Sequence, residues 1–193
     1  ARIAYFHAHK YGAEGYINSS NFSYRHNHNK FIENLDREIE HNNKVLFVVH
    51  HKENYDGKFP IWVATELFTF GMISKFYSDL STQDQKQIAK EFYRSVPKHL
   101  ISCLRCCTDL RNICAHYGRL YFRVFTAMPD IQNLSDKEKR SLWGAVLATK
   151  SIYQSDEKWK SEITPAIINL FAEYKDVILL NHIGFPTDWK NKI

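Results

Sequence analysis

The chain has 193 residues, a formal net charge of +5, and 44% apolar and 24% charged residues. That length suits one well-buried core, and the composition is ordinary for a globular domain. The charge fits a nucleic-acid partner without demanding one. No uninterrupted apolar run is long enough for a bilayer and no signal region opens the chain, so neither a membrane nor export is expected. Only seven Gly and five Pro are present, few for a turn-rich β protein, and the fold class expected is all-α. Cys103, Cys106, Cys107 and Cys114 lie close together on one apparent helix. They are placed to pack rather than to staple distant segments, which fits a reducing compartment and a cytoplasmic location. The abrupt start at Ala1-Arg2-Ile3, without an initiator Met, suggests a fragment lacking an N-terminal region.

In chain order, residues 1–12 read as the tail of a helix stopped by Gly12 and Gly15. Tyr16 to Asn29 is polar and reads as loop. Lys30 to His41 places Phe31, Leu35 and Ile39 on one helical face. Val45 to Val49 is β-branched and fits a strand, a helix or a buried extended segment equally well. His50 to Phe59 reads as loop. Pro60 then opens a segment through Tyr77 that is apolar almost all round, the pattern of a buried central helix. On it Trp62, Phe70, Phe76 and Tyr77 read as core, and Glu66 as either a buried acid or an unassigned one. Ser81 or Thr82 caps a helix to Tyr93. Pro97 opens another, with Leu100, Leu104, Cys107, Leu110 and Cys114 on one face.

A connection runs from Tyr117 to Asn133. Ser135 and Glu138 form a capping-box pattern opening a helix to about Tyr153. Asp156 to about Leu180 reads as a last helix, kinked before Pro165. No repeat or linker divides the chain, so residues 1–193 are expected to form a single helical-bundle domain.

Chemistry concentrates in Leu110 to Phe122. Arginine is always charged and histidine titrates near neutrality, a combination suited to a phosphate ester. Arg111 and His116 stand about 140° apart on an ideal helix, whereas Asn112 and His116 share a face. Arg111 therefore meets His116 only where the helix ends, or where a second copy supplies one of them, and Gly118 favours a helix end. Spacing alone favours a structural reading in which Arg111 pairs with an acid and His116 with a carbonyl. Arg119 and Arg123 suit a phosphate-binding edge, a solvated face, or pairing with Asp130 or another acid, and Arg105 with Asp109 reads as a surface pair. No second C-x2-C completes a tetrahedron around the cysteines, so no metal is expected, and small buried side chains are the better reading.

The segment Leu110-Arg111-Asn112-Ile113-Cys114-Ala115-His116, followed by Arg119-Leu120-Tyr121 and Arg123, resembles the signature of Abi-like proteins. These are bacterial abortive-infection proteins of the wider HEPN superfamily, which is marked by an Arg, four to six residues, and a His. The likeness extends to Ala1–Gly15 with Lys10-Tyr11-Gly12, to Pro60–Val63, Glu66–Phe68 and Phe70–Tyr77, and to Ile183–Pro186 with Trp189. The resemblance implies a HEPN-like bundle and metal-independent, cofactor-free RNA cleavage in an anti-phage or toxin–antitoxin system. Arg111 would bind the scissile phosphate, His116 would act as general acid or base at the ribose 2′-hydroxyl, and Asn112 would orient either the histidine or the phosphate. The products would be 2′,3′-cyclic phosphate and 5′-hydroxyl ends. It also implies a homodimer with a composite site, and an inhibitory RNA or antitoxin as partner. The competing expectations are a catalytically inactive RNA-binding or regulatory module, and a purely structural dimerisation bundle without salt-dependent RNA affinity.

Overall fold

A computed structural model describes every residue from Ala1 to Ile193. The chain is all-α as expected, and its one pairing of extended backbone is an isolated antiparallel bridge between Phe22 and Leu80. No helix is long and apolar enough to cross a membrane. The chain divides into two compact units, Ala1–Arg94 and Ser95–Ile193.

The first unit holds α1 (Arg2–Tyr11), α2 (His28–His41), α3 (Leu46–Asn54), α4 (Ile61–Leu67), α5 (Phe70–Asp79) and α6 (Thr82–Tyr93). Gly12 ends α1 with φ 82°, a conformation that a side chain would resist. The Asn27 side chain accepts from Lys30 N and starts α2 at His28, just ahead of the expected Lys30. Phe22, Phe31, Phe68 and Phe76 form an aromatic core with ring centroids 5.3–6.0 Å apart. Asp84 on α6 is fully buried. Tyr11 donates to its Oδ2 at 2.7 Å and Lys10 pairs with its Oδ1. A carboxylate out of water needs such partners, so Lys10 and Tyr11 tie α1 to α6.

Two expectations here are corrected. The open segment at Val45–Val49 resolves as α3, which continues through His50–Asn54 where a loop was expected. His51 Nδ1 bonds Phe47 O at 2.8 Å, and Asn54 Nδ2 donates to His50 O at 3.0 Å, holding that last turn. The single buried helix expected from Pro60 to Tyr77 is instead two, because Thr69 leaves the helix and caps α5 by accepting from Met72 N. Trp62, expected in the core, is 54% exposed, and Glu66 is exposed as well.

The second unit holds α7 (Pro97–Ala115), α8 (Asp136–Lys139), α9 (Leu142–Ile152), α10 (Asp156–Lys158) and α11 (Thr164–Glu173). α7 packs on α9 through small side chains, with Cys103, Cys106, Ala127 and Ala148 buried together. Burial pushes the Cys103 and Cys106 thiols up to about 12, which favours the neutral thiol in this packing. Cys114, expected on the same apolar stripe, is exposed.

A second core gathers Trp143, Trp159, Ile183, Phe185 and Trp189. The capping box of Ser135 and Glu138 is present, but it opens only the short α8. Ser141 then recaps the chain to begin α9, splitting the single helix expected there. Between α10 and α11 lies a π turn, Trp159–Ile163, in which Thr164 N–H reaches back to Trp159 O. Pro165, which has no N–H of its own, follows at once, and the distortion takes the place of the expected kink. α11 stops at Glu173, short of the expected Leu180.

Candidate functional site

α7 ends at the residues singled out from the sequence. His116 is its C-cap, and its backbone N–H bonds Asn112 O at 3.1 Å. Tyr117 follows with φ 53°, donating to Cys114 O at 3.1 Å, and Gly118 N donates to Ile113 O at 2.7 Å. These two bonds form a Schellman motif, with tyrosine at the left-handed position that glycine usually takes. Gly118 is needed for a different reason: a Cβ there would lie 2.9 Å from the Ile113 carbonyl oxygen. The helix end expected near Gly118 is therefore real, and it falls at His116.

Arg111, Asn112, His116, Arg119 and Arg123 are all exposed. The Arg111 guanidinium donates to Asn112 Oδ1 at 3.2 Å and joins no acid. The structural reading therefore lacks its contacts, since Arg111 has no carboxylate and the His116 ring bonds no carbonyl. Arg111 and His116 do not hydrogen-bond each other either. Asp130, the acid suggested for Arg119 or Arg123, pairs with Lys98 at 3.1 Å. Both arginines are left with unneutralised charge at the helix end.

Asp109 does not pair with Arg105. It accepts from Thr126 Oγ1 at 2.8 Å and from Ala127 N at 3.1 Å, pinning the 117–133 connection against α7. That anchoring brings Arg123 to Asn112, and both line a shallow cavity of about 220 Å³ with Asp109, Ile113 and Thr126. His116 and Arg119 do not line it. Arg111 is linked to this cavity through Asn112.

A second cavity of about 490 Å³ lies on the other side of Arg123, lined by Phe122, Lys137, Asn181, His182 and Phe185 among others. His182 was absent from the sequence expectations. Tyr121 hydroxyl lies 2.9 Å from its Nδ1, and Phe122 stacks on its ring at 4.3 Å. Tyr121 and His182 are 61 positions apart. Only the local oddity of a histidine just ahead of Gly184-Phe185-Pro186 would have pointed there.

The family model described as Abi-like protein matches residues 1–122. The match takes in Arg111, Asn112, His116 and Arg119, and stops just short of Arg123. No curated protein and no solved structure matches the chain.

Proposed function

Because the chain belongs to the Abi-like protein family, we propose that it acts in abortive infection as a metal-independent endoribonuclease of the HEPN type. The observation that carries this reading is an exposed Arg111 and His116 at one helix end, neither engaged by an acid or a carbonyl of the fold. RNA already contains its nucleophile, so a protein that cleaves it need only move protons and stabilise charge. The Arg111 guanidinium neutralises the scissile phosphate, a task suited to its planar set of donors. His116 takes the 2′-hydroxyl proton or protonates the leaving 5′-oxygen. Asn112, already bonded to Arg111, orients the guanidinium. The bond formed joins the 2′-oxygen to phosphorus, and the bond broken releases a 5′-hydroxyl.

One chain does not bond its Arg111 to its His116. In this reading two copies meet at this helix end, so that the Arg111 of one copy and the His116 of the other act on one phosphate. A second reading, a catalytically inactive RNA-binding module, is favoured by the Arg111–Asn112 bond, which satisfies the arginine without any histidine. Product analysis separates the two. Incubation of RNA with the full chain in EDTA is expected to yield 2′,3′-cyclic phosphate and 5′-hydroxyl ends. Ends with a 5′-phosphate, or activity only with added divalent metal, would sink the mechanism. Binding without cleavage would favour the inactive module.

A further inference from the structure

We propose that the cavity between Arg123 and Phe185 is a nucleobase pocket, receiving one base of a single-stranded RNA whose backbone runs past Arg123. The inference rests on the RNA reading above and adds to it a place where sequence is sensed.

The pocket has a stacking wall, a positioned polar ring and a cationic mouth. The stacking wall is Phe122. Its backbone is left-handed, φ 57°, and its ring is 59% exposed. Neither feature suits a core residue, and strained backbone of this sort gathers at functional sites. The ring stacks on His182 with an interplanar angle of 29°, and so exposed an aromatic has surface left for a base to stack on.

The polar ring is His182. The Tyr121 hydroxyl accepts from Leu179 N at 3.1 Å and shares a hydrogen bond with His182 Nδ1 at 2.9 Å, which holds the ring. With Nδ1 engaged by Tyr121, the other ring nitrogen, Nε2, is the one left to meet a polar group on a base edge. The exposed side-chain amide of Asn181 offers one donor and one acceptor beside it. Gly184 keeps this turn in place, since its φ is 79° and a Cβ would fall 2.1 Å from Ser141 Oγ.

The mouth is cationic. Arg123 forms a wall shared with the Asn112 cavity, and Lys137 stands at the same opening. The Glu138 carboxylate, the acid in the lining, is turned to Ser135 N and Oγ at 2.8 and 2.6 Å. A phosphate at Arg123 thus lies between the Asn112 cavity and the base pocket. The volume of about 490 Å³ falls within the range of about 300–1,000 Å³ usual for small-molecule sites.

The test measures binding in the His116→Ala background, so that the probe stays intact. Two fluorescein-labelled strands of equal length are compared by anisotropy, a mixed-sequence RNA and a ribose-phosphate strand without bases. Phe122→Ala is expected to weaken the RNA about tenfold and to leave the base-free strand unchanged, while Phe122→Tyr restores RNA binding. Arg123→Ala is expected to weaken both strands alike, as a backbone contact does. Equal loss on both strands with Phe122→Ala, or no loss on either, overturns the base pocket and leaves the RNA reading standing. Failure of both strands to bind overturns the two together. Absence of cleavage by the wild type, with the strand difference retained, overturns the nuclease alone.

Discussion

Tyr117 places an almost fully exposed ring, 99% accessible, on a left-handed backbone directly after His116. A bulky side chain in that conformation costs about 1–2 kcal/mol relative to an unstrained residue, and this one recovers no packing in return. Tyr117→Gly should therefore raise stability by roughly 0.5–1 kcal/mol once the looser unfolded chain is counted. A thermal melt would show this as a rise of about 1–4 °C for a chain of this length. A lower melting point would mean that the ring makes contacts that hold the helix end. Buried His7 offers a separate test. Burial lowers its pKa from 6.5 to about 4, opposed in part by Asp84, and neither ring nitrogen has a partner. Below 6.5 the unfolded chain binds a proton that the native chain does not accept until about pH 4, so stability rises with pH across that window. The contribution is complete above 6.5 and lost at about pH 4, and is on the order of 3 kcal/mol. His7→Leu should flatten the stability difference between about pH 7 and about pH 4.5, read by urea unfolding. An unchanged difference would show that another group governs acid unfolding.

At the scale of elements, the arrangement of the candidate site depends on Asp109 more than on any residue inside it. Its bonds to Thr126 and Ala127 hold the connection that presents Arg123 to Asn112. Hydrogen bonds to a charged group are each worth about 1.5–3 kcal/mol, so Asp109→Ala should destabilise the second unit by roughly that amount. It should also weaken RNA binding as Arg123→Ala does, and unchanged RNA affinity would show that Arg123 is held by something else. The sequence made the ends of elements more legible than their interiors. Ser81 and Ser135 cap helices at the positions read for them, because a capping side chain acts on its own next turn. Breaks at Thr69 and Ser141 were hidden, since apolar periodicity continues through both and only the tertiary fold decides that the chain turns there. The Asp109 contact and the His182 stack were illegible for the same reason. Each joins residues far apart in sequence, and no periodicity links them.

For the whole molecule, the net charge of +5 is modest, so RNA affinity must come from local placement and not from a general basic field. Arg119 and Arg123, both without an acid partner, are the groups expected to supply it. Each phosphate contact to single-stranded RNA contributes about −0.7 to the slope of log affinity against log salt. Removing both arginines should lower the steepness by about 1.4 if each meets one phosphate. A slope indifferent to salt in the wild type would instead favour a structural bundle. The family match covers the first unit and α7 through Phe122, while the base pocket draws on Asn181 and His182 beyond it. In the readings above, cleavage and base recognition rest on different side chains, His116 against Phe122 and His182, and they separate experimentally. The central claim concerns His116, and its most direct test is the rate at which full-chain wild type and His116→Ala cut the same RNA in EDTA. A positioned acid–base group is worth about 10²–10⁴-fold, so the variant should fall to about a hundredth of the wild-type rate or below. Equal rates for the two proteins would contradict the account.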